Sequence, residues 1–116
     1  MSNRIHVSRI PVKSQASLPS DAREALITAK NDLRLGVALG RFSNSRGAYD
    51  GDGSPLPKLS AGCVYHEVSV GAARKGDPRP AGRKRLVIEF HVTSRQIKEV
   101  FYTEDHYLKF SFYRVV

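Results

Sequence analysis

The C-terminal part of the chain, from Cys63 onward, contains four stretches rich in valine, isoleucine, phenylalanine and tyrosine, and this limits the fold more than any other feature. Each stretch has the composition of a β-strand and is bounded by turn residues or charges. In order, they read CVYHEVSV, RKRLVIEFHV, EVFYT and YLKFSFYRVV. The sequence therefore predicts an antiparallel sheet in this part of the chain.

One amphipathic helix is predicted before the sheet, in the segment LPSDAREALITAKNDLRLG, residues 18–36. Pro19 precedes its start, Asp21 and Glu24 have the spacing of a capping box, and Gly36 ends it. Apolar residues recur every three or four positions and form one stripe: Ala22, Ala25, Leu26, Ala29 and Leu33. The predicted fold class is therefore α+β, with an N-terminal helix packed on a C-terminal antiparallel β-sheet.

The length of 116 residues fits a single domain with a single core. Residues 1–17 are predicted to form a basic arm, with an edge strand as the alternative, and residues 18–116 to form the domain itself. Residues 43–62 and 71–82 have the glycine and proline content of loops. No apolar run is long enough for a membrane span or for the core of a secretory signal. The single cysteine excludes an internal disulfide.

The charge balance indicates the class of partner. Nineteen lysines and arginines against eleven acids give a net charge of +8 and an isoelectric point near 10.0. Such a surface attracts polyanions, and nucleic acid is the first candidate. Charge alone does not separate an enzyme from a basic domain that binds nucleic acid or an acidic protein without catalysis.

Strand alternation predicts where the charged side chains of the first two strands lie. In the first strand, His66 shares the apolar face that packs on the helix, and Glu67 points to the opposite, open face. In the second strand, Leu86, Ile88, Phe90 and Val92 are predicted to face the core, and Arg83, Arg85, Val87, Glu89 and His91 to point outward. If the two strands form a hairpin, Glu67 and Arg85 share one surface.

A carboxylate, an arginine on the neighbouring strand and a histidine after the third strand, His106, are the parts of an acid–base site for an anionic substrate. The simpler alternative is that Glu67 and Arg85 form an ordinary surface ion pair. The residues alone leave both interpretations open.

Four segments, in order, resemble the barnase family of microbial ribonucleases, which includes small guanyl-specific enzymes. LPSDAREAL is similar to the family's Leu-Pro segment before the main helix, and RFSN followed by PLP to its guanine loop. YHEVSV resembles the strand that carries the catalytic glutamate, and FYTEDHYLKF resembles the signature Tyr-Thr-x-Asp-His-Tyr-x-x-Phe. These four matches all lie within residues 18–113. They imply a microbial ribonuclease fold and an endoribonuclease that cleaves single-stranded RNA to a 2′,3′-cyclic phosphate.

The resemblance also assigns roles to individual residues. Glu67 resembles the general base that takes the proton of the ribose 2′-hydroxyl, and His106 resembles the general acid that protonates the departing 5′-oxygen. Arg85 resembles the arginine that neutralises the pentacoordinate phosphorane. Because RNA supplies its own nucleophile, neither a metal nor a cofactor is expected.

The substrate-binding residues follow the family less closely. Tyr107 resembles the tyrosine that bonds the phosphate. The family's second arginine falls on Ala81, so Arg79 or Arg83 is expected to replace it, and Arg83 is favoured because it shares a face with Arg85.

In the guanine loop, Phe42 and Asn44 match the family, and Arg46 follows them as a further predicted contact. The family's guanine-binding acid is missing, and Asp50 or Asp52 is the candidate to replace it. Guanine preference is therefore one possibility among the four bases. The two aspartates do not complete the ligand series of a Ca²⁺ loop, and no metal site is predicted.

The expected partners are RNA and an acidic immunity or inhibitor protein comparable to barstar, with no membrane contact; a monomer is expected. Two settings fit the chain. It is either a secreted ribonuclease, or the toxin domain of a secreted bacterial effector that is delivered into the cytoplasm of a target cell. The alternative function is a nucleic-acid-binding or protein-interaction domain that kept the fold without catalysis.

Overall fold

The computed structural model describes residues 7–36, 56–57, 59–71, 84–104 and 112–116. Within them lie one α-helix, α1 (Ser20–Leu35), and two short 3-10 helices, Val7–Arg9 and Gln15–Ser17. The same ranges contain five strands: β1 (Val12–Lys13), β2 (Cys63–Ser69), β3 (Arg85–His91), β4 (Gln96–Thr103) and β5 (Phe112–Val115). No helix in these ranges is long and apolar enough to cross a membrane.

The strands form one sheet in the order β1-β5-β4-β3-β2, which confirms the α+β class. The pairs β2–β3, β3–β4 and β4–β5 are antiparallel, and a bulge between Glu89 and Phe90 shifts the β3–β4 register. The sheet is mixed rather than antiparallel, because β1 pairs with β5 in parallel. This strand comes from the predicted arm: Val12 lies opposite Arg114, and the Gln15 N–H donates to the Val116 carbonyl at 2.9 Å.

Helix α1 agrees with the prediction at its C-terminus and differs at its N-terminus. Gly36 adopts a left-handed conformation with φ of 75°, and its N–H donates to the carbonyls of Asp32 and Leu33. The predicted capping box is wrong, because the helix begins at Ser20 and Asp21 already lies in its first turn. The Asp21 carboxylate accepts hydrogen bonds from the Ala22 N–H and from Lys84 Nζ instead.

The main core lies between α1 and one face of the sheet. The predicted helix stripe is buried there, with Ala25 partly so, against side chains of β3, β4 and β5. His66 belongs to this layer, as predicted: its side chain is buried and lies edge-on to Phe90, with 5.6 Å between ring centroids. The prediction that Val92 faces the core, in contrast, is wrong. It lies in the β3–β4 turn and is 56% exposed.

A second, smaller apolar cluster covers the middle of the opposite face of the sheet. Its buried members are Ile10, Leu56, Tyr65, Val87 and Phe101, with Leu59 packed against them. The prediction that this face is open is therefore wrong in its centre. Ile10, from the N-terminal segment, and Leu56 and Leu59, from the segment before β2, cover it, so charged side chains on this face lie beside a core rather than on a bare surface.

Candidate active site

The strand register brings Glu67 and Arg85 to one end of this second face. Arg85, the first residue of β3, lies opposite Ser69 of β2 on one side and opposite Thr103 of β4 on the other. Glu67 lies opposite Val87, one step along the same face. A diagonal neighbour of this kind is within reach of a long side chain. Arg85 therefore stands between the end of β2 and the end of β4.

Glu67 and Arg85 form a close, enclosed pair of opposite charges. Arg85 Nε lies 4.0 Å from Glu67 Oε1, and the two side chains are only 8% and 13% exposed. The Arg85 guanidinium is held from a second side, because its Nη1 donates to the Lys84 carbonyl at 2.8 Å. The predicted pair is therefore present, but it is not the solvated surface pair of the simpler alternative.

A second carboxylate on the same face, Glu89, has a different environment. Glu89 is only 4% exposed, and its Oε2 accepts the Ser60 backbone N–H at 2.8 Å. It lies opposite Tyr65, whose hydroxyl donates to the Pro57 carbonyl at 2.6 Å. Both contacts attach the segment before β2 to the sheet. Of the two carboxylates, Glu89 has a structural role, and Glu67 is the one beside the arginine.

The predicted general acid, His106, lies outside the described residues. In the sequence, His106 comes three positions after Thr103, which is the last residue of β4 and the register partner of Arg85. Three residues of chain reach at most about 11 Å. Thr103 is fully buried, so the point at which the chain leaves the sheet is fixed beside Arg85.

The predicted substrate contacts also lie outside the described residues and are not tested: Phe42, Asn44, Arg46, Arg79, Arg83 and Tyr107. The same holds for Asp50 and Asp52. In the described ranges, no group of three or more histidine, cysteine, aspartate or glutamate side chains is arranged to hold a metal ion.

Sequence reasoning did not identify Ser69 and Thr103 as the register partners of Arg85. The alternation of side chains assigns a face to each residue, whereas only the pairing of the strands shows which residues are opposite one another. The β2–β3 connection, residues 70–84, is long, so the sequence does not indicate which residues of the two strands pair.

Two grooves lie beside α1, away from the Glu67–Arg85 pair. One, of about 500 Å³, runs between α1 and the β3–β4 turn and includes Lys30, Arg34 and Arg95. Arg95 there serves the fold, since its Nη2 donates to the carbonyls of Leu33 and Arg34 at the end of α1. The other, of about 450 Å³, is lined by acidic residues of α1. Neither groove combines a base with a phosphate-binding arginine.

Comparisons with protein-family models, with curated proteins and with solved structures found no match to this chain. The arrangement around Glu67 and Arg85 is therefore the basis on which a function can be inferred for this chain.

Proposed function

We propose that this protein is a barnase-like endoribonuclease that cleaves single-stranded RNA by metal-independent transesterification. The observation that carries the proposal is the strand register. It gathers Glu67, Arg85 and the end of β4, three residues before His106, at one end of one sheet face. These are the residue types that the reaction requires as base, phosphate ligand and acid.

The Glu67–Arg85 pair differs in geometry and burial from a second ion pair on the same sheet. On the same sheet, Arg114 forms a two-pronged ion pair with Glu99, with Nε–Oε2 and Nη2–Oε1 distances of 2.7 and 3.0 Å. Arg85 and Glu67 are more deeply buried, yet they stay 4.0 Å apart. The fold therefore holds a carboxylate and a guanidinium side by side in an enclosed position, as a base and a phosphate ligand must be held in the proposed reaction.

Glu67, Arg85 and His106 account for both proton transfers and for the stabilisation of charge in the proposed reaction. The Glu67 carboxylate takes the proton of the ribose 2′-hydroxyl, and the 2′-oxygen forms a bond to phosphorus. Arg85 stabilises the charge of the pentacoordinate phosphorane. His106, in its protonated form, donates a proton to the 5′-oxygen as the P–O5′ bond breaks. The products are a 2′,3′-cyclic phosphate and a 5′-hydroxyl; slower hydrolysis then gives a 3′-phosphate.

The proposal extends to substrate and partners. Arg83 or Arg79 and Tyr107 hold the phosphate, and Phe42, Asn44 and Arg46 contact the base, with guanine preferred if Asp50 or Asp52 accepts from its edge. The net charge of +8 favours RNA as substrate and an acidic inhibitor or immunity protein as partner, through electrostatic steering. Such a protein would act as a secreted enzyme or as the toxin domain of an effector delivered into a target cell.

The test is an RNA-cleavage assay in the presence of EDTA, with DNA of the same sequence as the control. RNA should be cut and DNA should not, because DNA lacks the 2′-hydroxyl. Glu67→Ala and His106→Ala should each abolish cleavage and leave the circular dichroism spectrum unchanged. A His106→Ala protein that cuts RNA at the normal rate would refute the assignment.

The matched control for His106→Ala is His91→Ala. His91 lies at the far end of β3, six residues from Arg85, and its Nδ1 accepts the Ser94 N–H at 3.0 Å in the turn. That distance along a strand is about 20 Å. His91→Ala should therefore keep full activity. Binding of RNA without cleavage by the unmodified protein would instead favour a nucleic-acid-binding domain that has no catalytic function.

A further inference from the structure

Three elements meet at Asp21, behind the proposed active site. Asp21 lies in the first turn of α1, Gly71 follows the end of β2, and Lys84 precedes the first residue of β3. The Val70 N–H donates to the Lys84 carbonyl at 3.2 Å and closes the β2–β3 ladder at this point.

The Asp21 carboxylate links two of these elements directly. Its Oδ2 accepts from Lys84 Nζ at 2.9 Å, and its Oδ1 accepts the Ala22 N–H at 2.8 Å. The side chains of Lys84 and Asp21 are 28% and 39% exposed, so the pair lies at the edge of the fold rather than inside it. The Lys84 ammonium holds the pKa of the Asp21 carboxyl below its usual value, chiefly through this hydrogen bond.

Gly71 makes room for this contact. Its φ is 68°, and a Cβ built on it would lie 2.8 Å from Asp21 Oδ2. Any other residue would therefore be strained in its backbone and would also displace the carboxylate. The close approach connects the end of β2 to the same carboxylate that holds the start of β3.

Lys84 connects the Asp21 carboxylate to the proposed active site. Its side chain pairs with Asp21 beside α1, and its carbonyl accepts from Arg85 Nη1 at 2.8 Å. Arg85 points the other way, toward Glu67. The start of β3 thus has contacts on both faces of the sheet, and the residue that pairs with Asp21 is the same one whose carbonyl accepts from Arg85.

We propose that Asp21 and Lys84 are positioning residues, which hold the start of β3 so that Arg85 keeps the orientation that stabilises the transition state. This inference rests on the proposed ribonuclease function. Neither residue contacts the reacting atoms, so their loss should lower kcat and leave KM nearly unchanged. Misplacing a catalytic group by about 1 Å can lower the rate about 100-fold, so a smaller shift accounts for a more modest loss.

The kinetic test compares Asp21→Asn with Glu24→Gln, which removes the same charge from the first turns of α1. Glu24 is exposed, and it is Asp21, not Glu24, that forms the ion pair with Lys84. Asp21→Asn should lower kcat about 5- to 20-fold, with KM within about 2-fold, and Glu24→Gln should change neither. Lys84→Ala should match Asp21→Asn, and Lys84→Arg, which keeps a partner for Asp21, should restore most of kcat. Equal losses from Asp21→Asn and Glu24→Gln would overturn the proposal, because a general charge effect would explain both.

A second measurement does not depend on catalysis. The Nε–Hε signal of Arg85 in ¹⁵N NMR spectra reports how firmly the guanidinium is held, and it can be assigned from its loss in Arg85→Lys. Its hydrogen exchange should become at least several-fold faster in Asp21→Asn than in the unmodified protein and Glu24→Gln. If the unmodified protein cuts no RNA but the signal responds in this way, the proposed function fails and the positioning stands. If exchange at Arg85 is unchanged in Asp21→Asn, the positioning is wrong whatever the activity.

Discussion

Replacing Glu67 by glutamine should abolish RNA cleavage while the fold survives, and the structure allows both effects to be estimated. The substitution keeps the shape of the side chain and removes the carboxylate that would accept the 2′-hydroxyl proton. General-base catalysis contributes about 10²- to 10⁴-fold, so kcat should fall by at least about 100-fold.

The expected loss of stability is much smaller. Two unit charges 4.0 Å apart attract each other by about 4 kcal/mol at an effective dielectric constant of about 20. Glu67→Gln recovers the desolvation of the carboxylate, which offsets part of this attraction, whereas the Arg85 side chain, only 8% exposed, stays charged and buried beside a neutral amide. Glu67→Gln should therefore lower the free energy of unfolding by about 1 to 3 kcal/mol. A domain of ordinary stability remains folded after such a loss at 25 °C.

The control is Glu89→Gln, the same change on the same sheet face. The Ser60 N–H, now 2.8 Å from Glu89 Oε2, can still donate to the glutamine carbonyl, and a neutral acceptor is weaker by about 1 kcal/mol. This variant should unfold slightly earlier in urea and keep its activity within about 3-fold. Initial rates on a fluorescent RNA oligonucleotide, with urea unfolding of the same samples, measure both quantities. Normal activity in Glu67→Gln, or equal losses in the two variants, would refute the assignment of the base.

Three further predictions concern the fold. Burial lowers the pKa of His66, whose Nδ1 has no hydrogen-bond partner among the described residues. The unfolded chain therefore takes up the proton first, and stability should fall below about pH 6.5 by up to about 1.4 kcal/mol per pH unit. His66→Leu should reduce that slope in urea unfolding between pH 5 and 8, and an unchanged slope would assign it to other groups. Tyr102→Phe removes a buried hydroxyl that also has no partner in the described structure, and it should leave the melting temperature equal or higher; a clear decrease would show that the hydroxyl is bonded. Gly36→Ala should cost about 1 to 2 kcal/mol in thermal unfolding, because φ is 75° and the new Cβ would lie 2.8 Å from the Arg95 guanidinium; no loss would mean that the helix end rearranges freely.

The sequence predicts the local elements of this fold better than their assembly. The stripe of α1 and the alternation in β2 and β3 repeat often enough to identify a helix and two strands with one face on the core. β1 is only two residues long and has no period, and its partner Arg114 is about a hundred residues away. No local pattern could show that the sheet becomes mixed at this edge.

For the candidate site, too, the sequence predicts local features better than their assembly. Alternation assigned Glu67 and Arg85 to one face, and the structure agrees. The alternation of side chains could not show that the pair is enclosed, because the residues that cover the neighbouring part of that face, Ile10 and Leu56, come from distant segments. The pairing of Arg85 with Thr103 likewise depends on the β3–β4 register, and that register contains a bulge that no sequence motif indicates. The third group, His106, stays a prediction of the motif FYTEDHYLKF, whose first three residues form the end of β4.

The chemical ends produced from RNA test the central claim most directly. The purified protein is incubated in EDTA with an RNA oligonucleotide and with its fully 2′-O-methylated counterpart, and the products are identified by mass spectrometry. Transesterification by Glu67, Arg85 and His106 predicts 2′,3′-cyclic phosphate and 5′-hydroxyl ends from the RNA, with the methylated strand intact. Ends that carry a 5′-phosphate, cleavage of the methylated strand, or no cleavage at all would contradict the account.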